Sequence, residues 1–234
     1  MIPSWRDFAL WTFHWAEQSV GVAPAQSPFS TLYEKFGVEG LPVRAFASEE
    51  VGANLARLSR DSCDRPAMAA LDRALVAAGE TRLSAEMLFG FARSCANAEG
   101  EGYRAGDLFL QLGDVEKTLA AADDLLRKDS TNPSFHYLRG KALAAAGRNS
   151  EAVAEYKSTI ELTQNQRGIG EWVFTELANL FSTLGRPCDA AQTILEWVAI
   201  EPQVRRTARA LKLIRDYSAG GCRGNAAAPA AKDL

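Results

Sequence analysis

Apolar and polar residues follow a helical period along most of this chain, and in its middle the period is itself repeated. Gly147 divides "HYLRGKALAAAGRNSEAVAEYKSTIEL" into two amphipathic runs. Gly113 does the same to "FLQLGDVEKTLAAADDLL", 147 − 113 = 34 residues earlier, and Gly185 to "FSTLGRPCDAAQTILEWV", 185 − 147 = 38 residues later. Phe109, Leu143 and Phe181 stand four residues before these glycines. Leu119, Val153 and Ala191, then Leu126, Ile160 and Val198, follow at helical spacing. Seven residues before each glycine is a small residue, Gly106, Gly140 or Ala178. Small residues let paired helices approach closely, and glycine reverses the chain at low steric cost. Pro133 and Pro202 follow the second helices of the first and third copies, where a helix should have ended.

This register resembles the tetratricopeptide repeat, a helix–turn–helix unit of about 34 residues. The resemblance covers residues 99–202, with Arg167-Gly168-Ile169-Gly170 lengthening the link into the third copy. The family's large aromatic near the start of the first helix is replaced by Gly102 and His136, and Phe174 keeps it. The resemblance implies an all-α fold, a right-handed α-α superhelix of antiparallel helix pairs, whose first helices line a concave groove that receives a protein or peptide. By helical phase the groove is lined by Tyr103, Arg104, Asp107 and Gln111 of the first copy, Tyr137 and Lys141 of the second, and Thr175, Glu176, Asn179 and Thr183 of the third. Tyrosines offer rigid contact area and the mixed charges orient a partner. Co-chaperones of this family grip a terminal carboxylate with Lys and Asn; the matching places here hold Tyr103, Asp107, Leu138, Trp172 and Glu176, so that activity does not carry over.

Upstream, "SEEVGANLARLSRD" opens with an N-cap serine and acids in its first turn, which suits the positive end of a helix. A hairpin of "RPAMAALDRALVAAG" and "RLSAEMLFGFARSC", broken at Gly79-Glu80-Thr81, extends the stack. The expected organisation is an aromatic helix and irregular connection over 1–47, N-terminal helices over 48–98, three repeats over 99–202, a capping helix over 203–221 and a tail over 222–234. In the first segment Trp5, Phe8, Trp11 and Trp15 form a stripe that reads as an accessory helix against the solenoid, since basic flanks of a membrane-surface anchor are missing. The hydrophobic content of 47% is ample for packed helices, and a net charge of −3 argues against nucleic acid as the main ligand. No apolar run reaches the roughly 18 residues of a membrane span.

Catalytic and metal-binding patterns are missing. His14 and His136 have no companions at ligand spacing, so no metal or cofactor is expected, and His136 reads as a residue that caps or lines a helix face. Glu49-Glu50 and Asp123-Asp124 are neighbours on helices, about 100° apart, and read as solvated faces. The stripe Arg205, Arg206, Arg209, Lys212 and Arg215 reads as a solvated end of the array.

The four cysteines fall at the ends of two hairpins. Cys63 precedes the helix beginning near Pro66 and Cys95 ends its antiparallel partner; Cys188 starts the second helix of the third repeat and Cys222 follows the helix packed against it. Helix axes about 8–10 Å apart allow bridges between facing or flanking side chains, giving Cys63–Cys95 and Cys188–Cys222. Four unlinked thiols are the alternative. Bridges imply an oxidising compartment, although no signal peptide is visible at Met1-Ile2-Pro3-Ser4-Trp5.

The order of "SCDRPAMAALDRAL…ARSCANAEG", "QLGD", "YLRGKAL…GR", "LGRPCDAAQTILEWVAIEP" and "DYSAGGC" is similar to the repeat region preceding the catalytic domain of bacterial exported retropepsin-like aspartic proteases. That resemblance implies a link to an aspartic protease domain. The Asp-Thr-Gly or Asp-Ser-Gly turn of such an enzyme is absent, so no activity is implied for this chain. The expectation is a non-catalytic scaffold, periplasmic or secreted if the disulfides form; a cytosolic adaptor or co-chaperone with reduced thiols is the alternative.

Overall fold

The structure is a computed structural model and describes residues 35–36, 49–163, 170–201 and 208–219. The aromatic stripe Trp5–Trp15, the link at Arg167–Ile169, Pro202, Arg205, Arg206, Cys222 and the tail lie outside the described residues. Among the described residues there are ten helices and no strand. The chain divides into two compact units, Met1–Lys128 and Asp129–Leu234.

The first unit contains α1 (Glu49–Arg60), α2 (Arg65–Ala77), α3 (Thr81–Ser94), α4 (Glu99–Gln111) and α5 (Val115–Lys128), each packed on the next. Helix α1 buries Val51, Leu55 and Leu58, spaced to fall on one face, in a core shared with Met68, Leu71, Leu75, Leu88, Phe91 and Phe109. Asp64 caps α2 by accepting from the Ala67 amide at 2.9 Å, and Arg57 pairs with the same carboxylate at 2.8 Å. Residues 35–36 lie against α3. Phe36 is 5% exposed and its ring is 5.9 Å from Phe91. A β-carbon on Gly90 would stand 2.3 Å from the Phe36 carbonyl oxygen, so only glycine permits this contact.

The second unit contains α6 (Pro133–Ala145), α7 (Asn149–Thr163), α8 (Gly170–Thr183), α9 (Pro187–Ile200) and α10 (Ala208–Ala219), again packed in sequence. Asn132 caps α6 by accepting from the Ser134 amide at 3.0 Å, and Pro133 supplies the fixed φ suited to a first helical turn. Phe135, Leu138, Leu143 and Tyr156 close the first hairpin; Phe174, Leu177, Phe181, Ile194 and Trp197 close the second.

Four turns share one geometry. Gly79, Gly113, Gly147 and Gly185 have φ of +81°, +73°, +71° and +68°. The amide that follows each glycine returns to the carbonyl five residues back: Glu80 to Leu75 at 2.8 Å, and Asp114 to Phe109, Arg148 to Leu143 and Arg186 to Phe181 at 2.9 Å. This is the Schellman closure, in which a left-handed residue satisfies the last carbonyls of a helix. Gly79 lies 113 − 79 = 34 residues before Gly113, so α2 and α3 form a fourth copy of the repeat, where sequence pattern predicted only a hairpin.

The fourth copy differs at the small position. Asp72 stands where the others have Gly106, Gly140 and Ala178. Instead of tight apolar contact, its carboxylate accepts from the Ser84 hydroxyl at 2.6 Å and from Arg104 of the next copy at 3.2 Å. At Gly140 the expected close approach is present, since a β-carbon there would lie 2.8 Å from the Tyr156 ring.

Cys63 and Cys95 form a disulfide with Cα atoms 5.6 Å apart, joining the α1–α2 loop to the end of α3. Cys188 is disulfide-bonded as well, and its predicted partner Cys222 lies outside the described residues. No helix among the described residues is long and apolar enough to cross a membrane.

Candidate functional site

In the first unit the four predicted groove residues share a face of α4, and Arg104, Asp107 and Gln111 bind one another. Arg104 bridges the Asp72 carboxylate of α2 and, at 3.8 Å, Asp107 of its own helix. Asp107 accepts from Gln111 at 2.8 Å. Tyr103 is half-buried, and burial, followed by the Asp107 charge, raises its phenol above the usual range. Arg104 therefore holds α4 to α2 as well as facing outward. Gln111 is exposed.

In the second unit the predicted residues separate into engaged and open groups. The Tyr137 ring lies 6.0 Å from the buried Tyr156 ring of α7, and Lys141 Nζ sits 5.6 Å from the Tyr137 ring centre. Tyr137 thus also helps to close its helix pair. Burial, with the Glu176 carboxylate next in effect, holds the Tyr156 phenol well above its usual range. Glu176 of α8 therefore lies near the α6–α7 aromatic pair. The Thr175 hydroxyl donates to the Glu171 carbonyl and that of Thr183 to the Leu180 carbonyl, each at 2.8 Å, so both turn back on their own helix. Asn179 accepts from the Tyr217 hydroxyl of α10 at 2.6 Å. Leu138 is fully buried, so its apparent match to a groove position does not hold.

Trp172, which stands at a clamp position of the family but not among the groove-lining residues given by phase, is the open aromatic of α8. It is 72% exposed and precedes Thr175, Glu176 and Asn179 by three, four and seven residues, the spacing of one helical face. Its helical register was the available signal. His136, by contrast, is structural: Nδ1 meets the Glu155 carboxylate at 2.7 Å, and Nε2 meets the Ser130 carbonyl at 2.9 Å, tying the start of α6 to α7. Arg139 pairs with the same Glu155. Lys212 of the predicted basic stripe pairs with Asp216 at 3.6 Å.

The sequence matches no protein-family model and no curated protein. Solved structures do match the fold. A crystal structure of MamA aligns with a TM-score of 0.55 at 14% identity, over 67% of this chain and 90% of that one. YrrB, described as a TPR protein with an unusual peptide-binding site, aligns at 0.54 with 15% identity, over 81% and 98%. The thermophilic TPR protein TTC0263 of Thermus thermophilus aligns at 0.52 with 18% identity, over 83% and 98%. At such identities the likeness speaks to fold alone, and with the four equivalent turns it makes this chain an all-α array of tetratricopeptide-type helix pairs.

Proposed function

We propose that the chain is a non-catalytic scaffold that binds a protein or peptide on its first-helix faces, with Trp172 as an anchor in the second unit. The carrying observation is the exposure of that indole, 72%, on the stripe that also holds Glu176 and Asn179. A large, stiff aromatic gains most when a partner covers it, which is why tryptophan dominates binding hot spots. Glu176 and Lys141 add opposite charges that orient a partner. The peptide-binding site of YrrB, a protein of the same fold, supports this reading.

The proposed compartment is extracytoplasmic. The Cys63–Cys95 bridge and the bonded state of Cys188 support it, because such bridges persist under oxidising conditions. The similarity to the region preceding exported aspartic proteases suggests service as a protease's accessory region. The test is selection of peptide ligands from a random library against the oxidised chain, followed by affinity measurements on Trp172→Ala and Lys141→Glu. The expected outcome is about a tenfold or larger loss in Trp172→Ala, the scale of a hot spot, with unchanged melting temperature. Ligands indifferent to both substitutions would reject this site.

A further inference from the structure

Three of the four repeat copies place a sizeable side chain eleven residues before the turn glycine: Met68, His136 and Phe174. The copy turning at Gly113 has Gly102 there, and α3 and α5 come in over it, so that a β-carbon on Gly102 would meet Leu125 at 3.1 Å and Ala92 at 3.2 Å. Beside this close approach opens a pocket of about 250 Å³ between the two second helices, away from the first-helix face proposed above. Its apolar part is Phe89, Ala92, Ala121 and Leu125, and its rim carries Arg93, Arg127 and Lys128. One carboxylate, Asp124, stands among them. It pairs with Arg127 and, at 3.4 Å, with Arg93. Lys128 donates to the Ala92 carbonyl at 2.9 Å and has Glu99 at 3.9 Å. Arg93 also lies 5.5 Å from the Phe89 ring centre, so cation and aromatic wall form one surface.

We propose that this pocket binds an acidic segment of a partner protein that inserts one apolar side chain. Arg93, Arg127 and Lys128 outnumber the two carboxylates that pair with them, Asp124 in the lining and Glu99 beside Lys128, leaving local positive charge in a chain of net charge −3, and this local inversion selects an acidic partner. The Arg93 and Arg127 side chains are 65% and 71% exposed, so both can turn from their shared Asp124 to an incoming carboxylate. The volume suits one leucine- or phenylalanine-sized group and leaves the charges at its mouth.

The experiment uses the oxidised full chain and EDLFDE-amide labelled with fluorescein at its N-terminal amine, with identically labelled EDGGDE and KKLFKK peptides as controls. EDLFDE should bind at least tenfold more tightly than either control, weaken with added salt, and lose about tenfold or more in Arg93→Glu/Arg127→Glu. Circular dichroism checks that this surface variant is folded, and the salt series on the unmodified protein stands without it. Trp172→Ala should leave EDLFDE binding unchanged, which separates this site from the first-helix face. Equal binding of EDLFDE and EDGGDE, indifference to salt and charge reversal, or loss in Trp172→Ala would each overturn the proposal. So would binding of anilinonaphthalene sulfonate at the pocket with no peptide binding, since the occupant would then be a small amphipathic anion.

Discussion

Gly140 and Gly147 lie one helical stretch apart, yet they need glycine for different reasons. At Gly147 a β-carbon would find nothing within 4 Å, and the constraint is φ alone, +71°. Gly147→Ala should therefore cost about 1–2 kcal/mol, and Gly147→Asn less, because asparagine tolerates the left-handed region. At Gly140 the backbone is ordinary helix and the constraint is Tyr156, whose ring would be 2.8 Å from the new carbon. Alanine gains about 1 kcal/mol of helix propensity there. Against that stands an overpacking cost of roughly 1–3 kcal/mol, enlarged because Tyr137 backs the same ring. Gly140→Ala should be net destabilising, and Gly140→Asn more so, the reverse of the order at Gly147; urea unfolding of the four variants checks both orders. Tyr156 has a pH signature as well. Its phenol is held above its usual range in the folded state, so the folded chain keeps a proton that the unfolded chain releases near pH 10. The stabilisation is complete below that pH and is lost as pH rises through and beyond it. Stability should fall on the alkaline side of about pH 10, less steeply in Tyr156→Phe, as followed by thermal melts across that range.

Among the helices, the α2–α3 pair is closed by a covalent link. The Cys63–Cys95 bridge spans a sequence separation of 32, for which loop-closure entropy gives a stabilisation of about 3–4 kcal/mol. Cys63→Ala/Cys95→Ala should lower the melting temperature by many degrees and speed amide exchange first in α1 and at the end of α3. Exchange in α6 and α7 should stay unchanged. Protein purified from its own compartment with four free thiols would remove the support for an exported location. The same pair shows what pattern reading can reach. Gly113, Gly147 and Gly185 were legible because small residues and apolar runs repeat around them, and the Cys63–Cys95 pairing followed from hairpin ends. Gly79 lacks part of that surrounding pattern. At its small position is Asp72, which joins α2 to α3 by a hydrogen bond to Ser84 where the other copies use close contact. The face lines of α4, α6 and α8 were legible from phase, but the state of each side chain was not. Phase cannot tell that Tyr217 engages Asn179, that Tyr156 backs Tyr137, or that Trp172 is left open, because each depends on a neighbouring helix.

Within each unit, stability is assembled by neighbours, as successive helices pack on one another. In the first unit this packing is indexed by ion pairs between successive copies: Arg82 with Asp114 at 2.8 Å, Arg104 with Asp72 at 3.2 Å, and Lys117 with Glu86. Such half-exposed pairs are worth little singly, and their use is to fix which turn of one copy meets which turn of the next. The contact between Phe36 and Gly90 limits this modularity. Copies that meet only neighbours of their own kind can be duplicated, deleted or exchanged by recombination, and repeat proteins lengthen in that way. The copy containing Gly90 is committed to a single tenant, a backbone segment that lies where any side chain would be. A second copy of residues 65–98 inserted beside the first would carry the vacant slot without the tenant, exposing Phe91 and unpaired apolar surface. The array therefore has a fixed beginning written into one helix, and evolutionary or engineered lengthening has to start downstream of it.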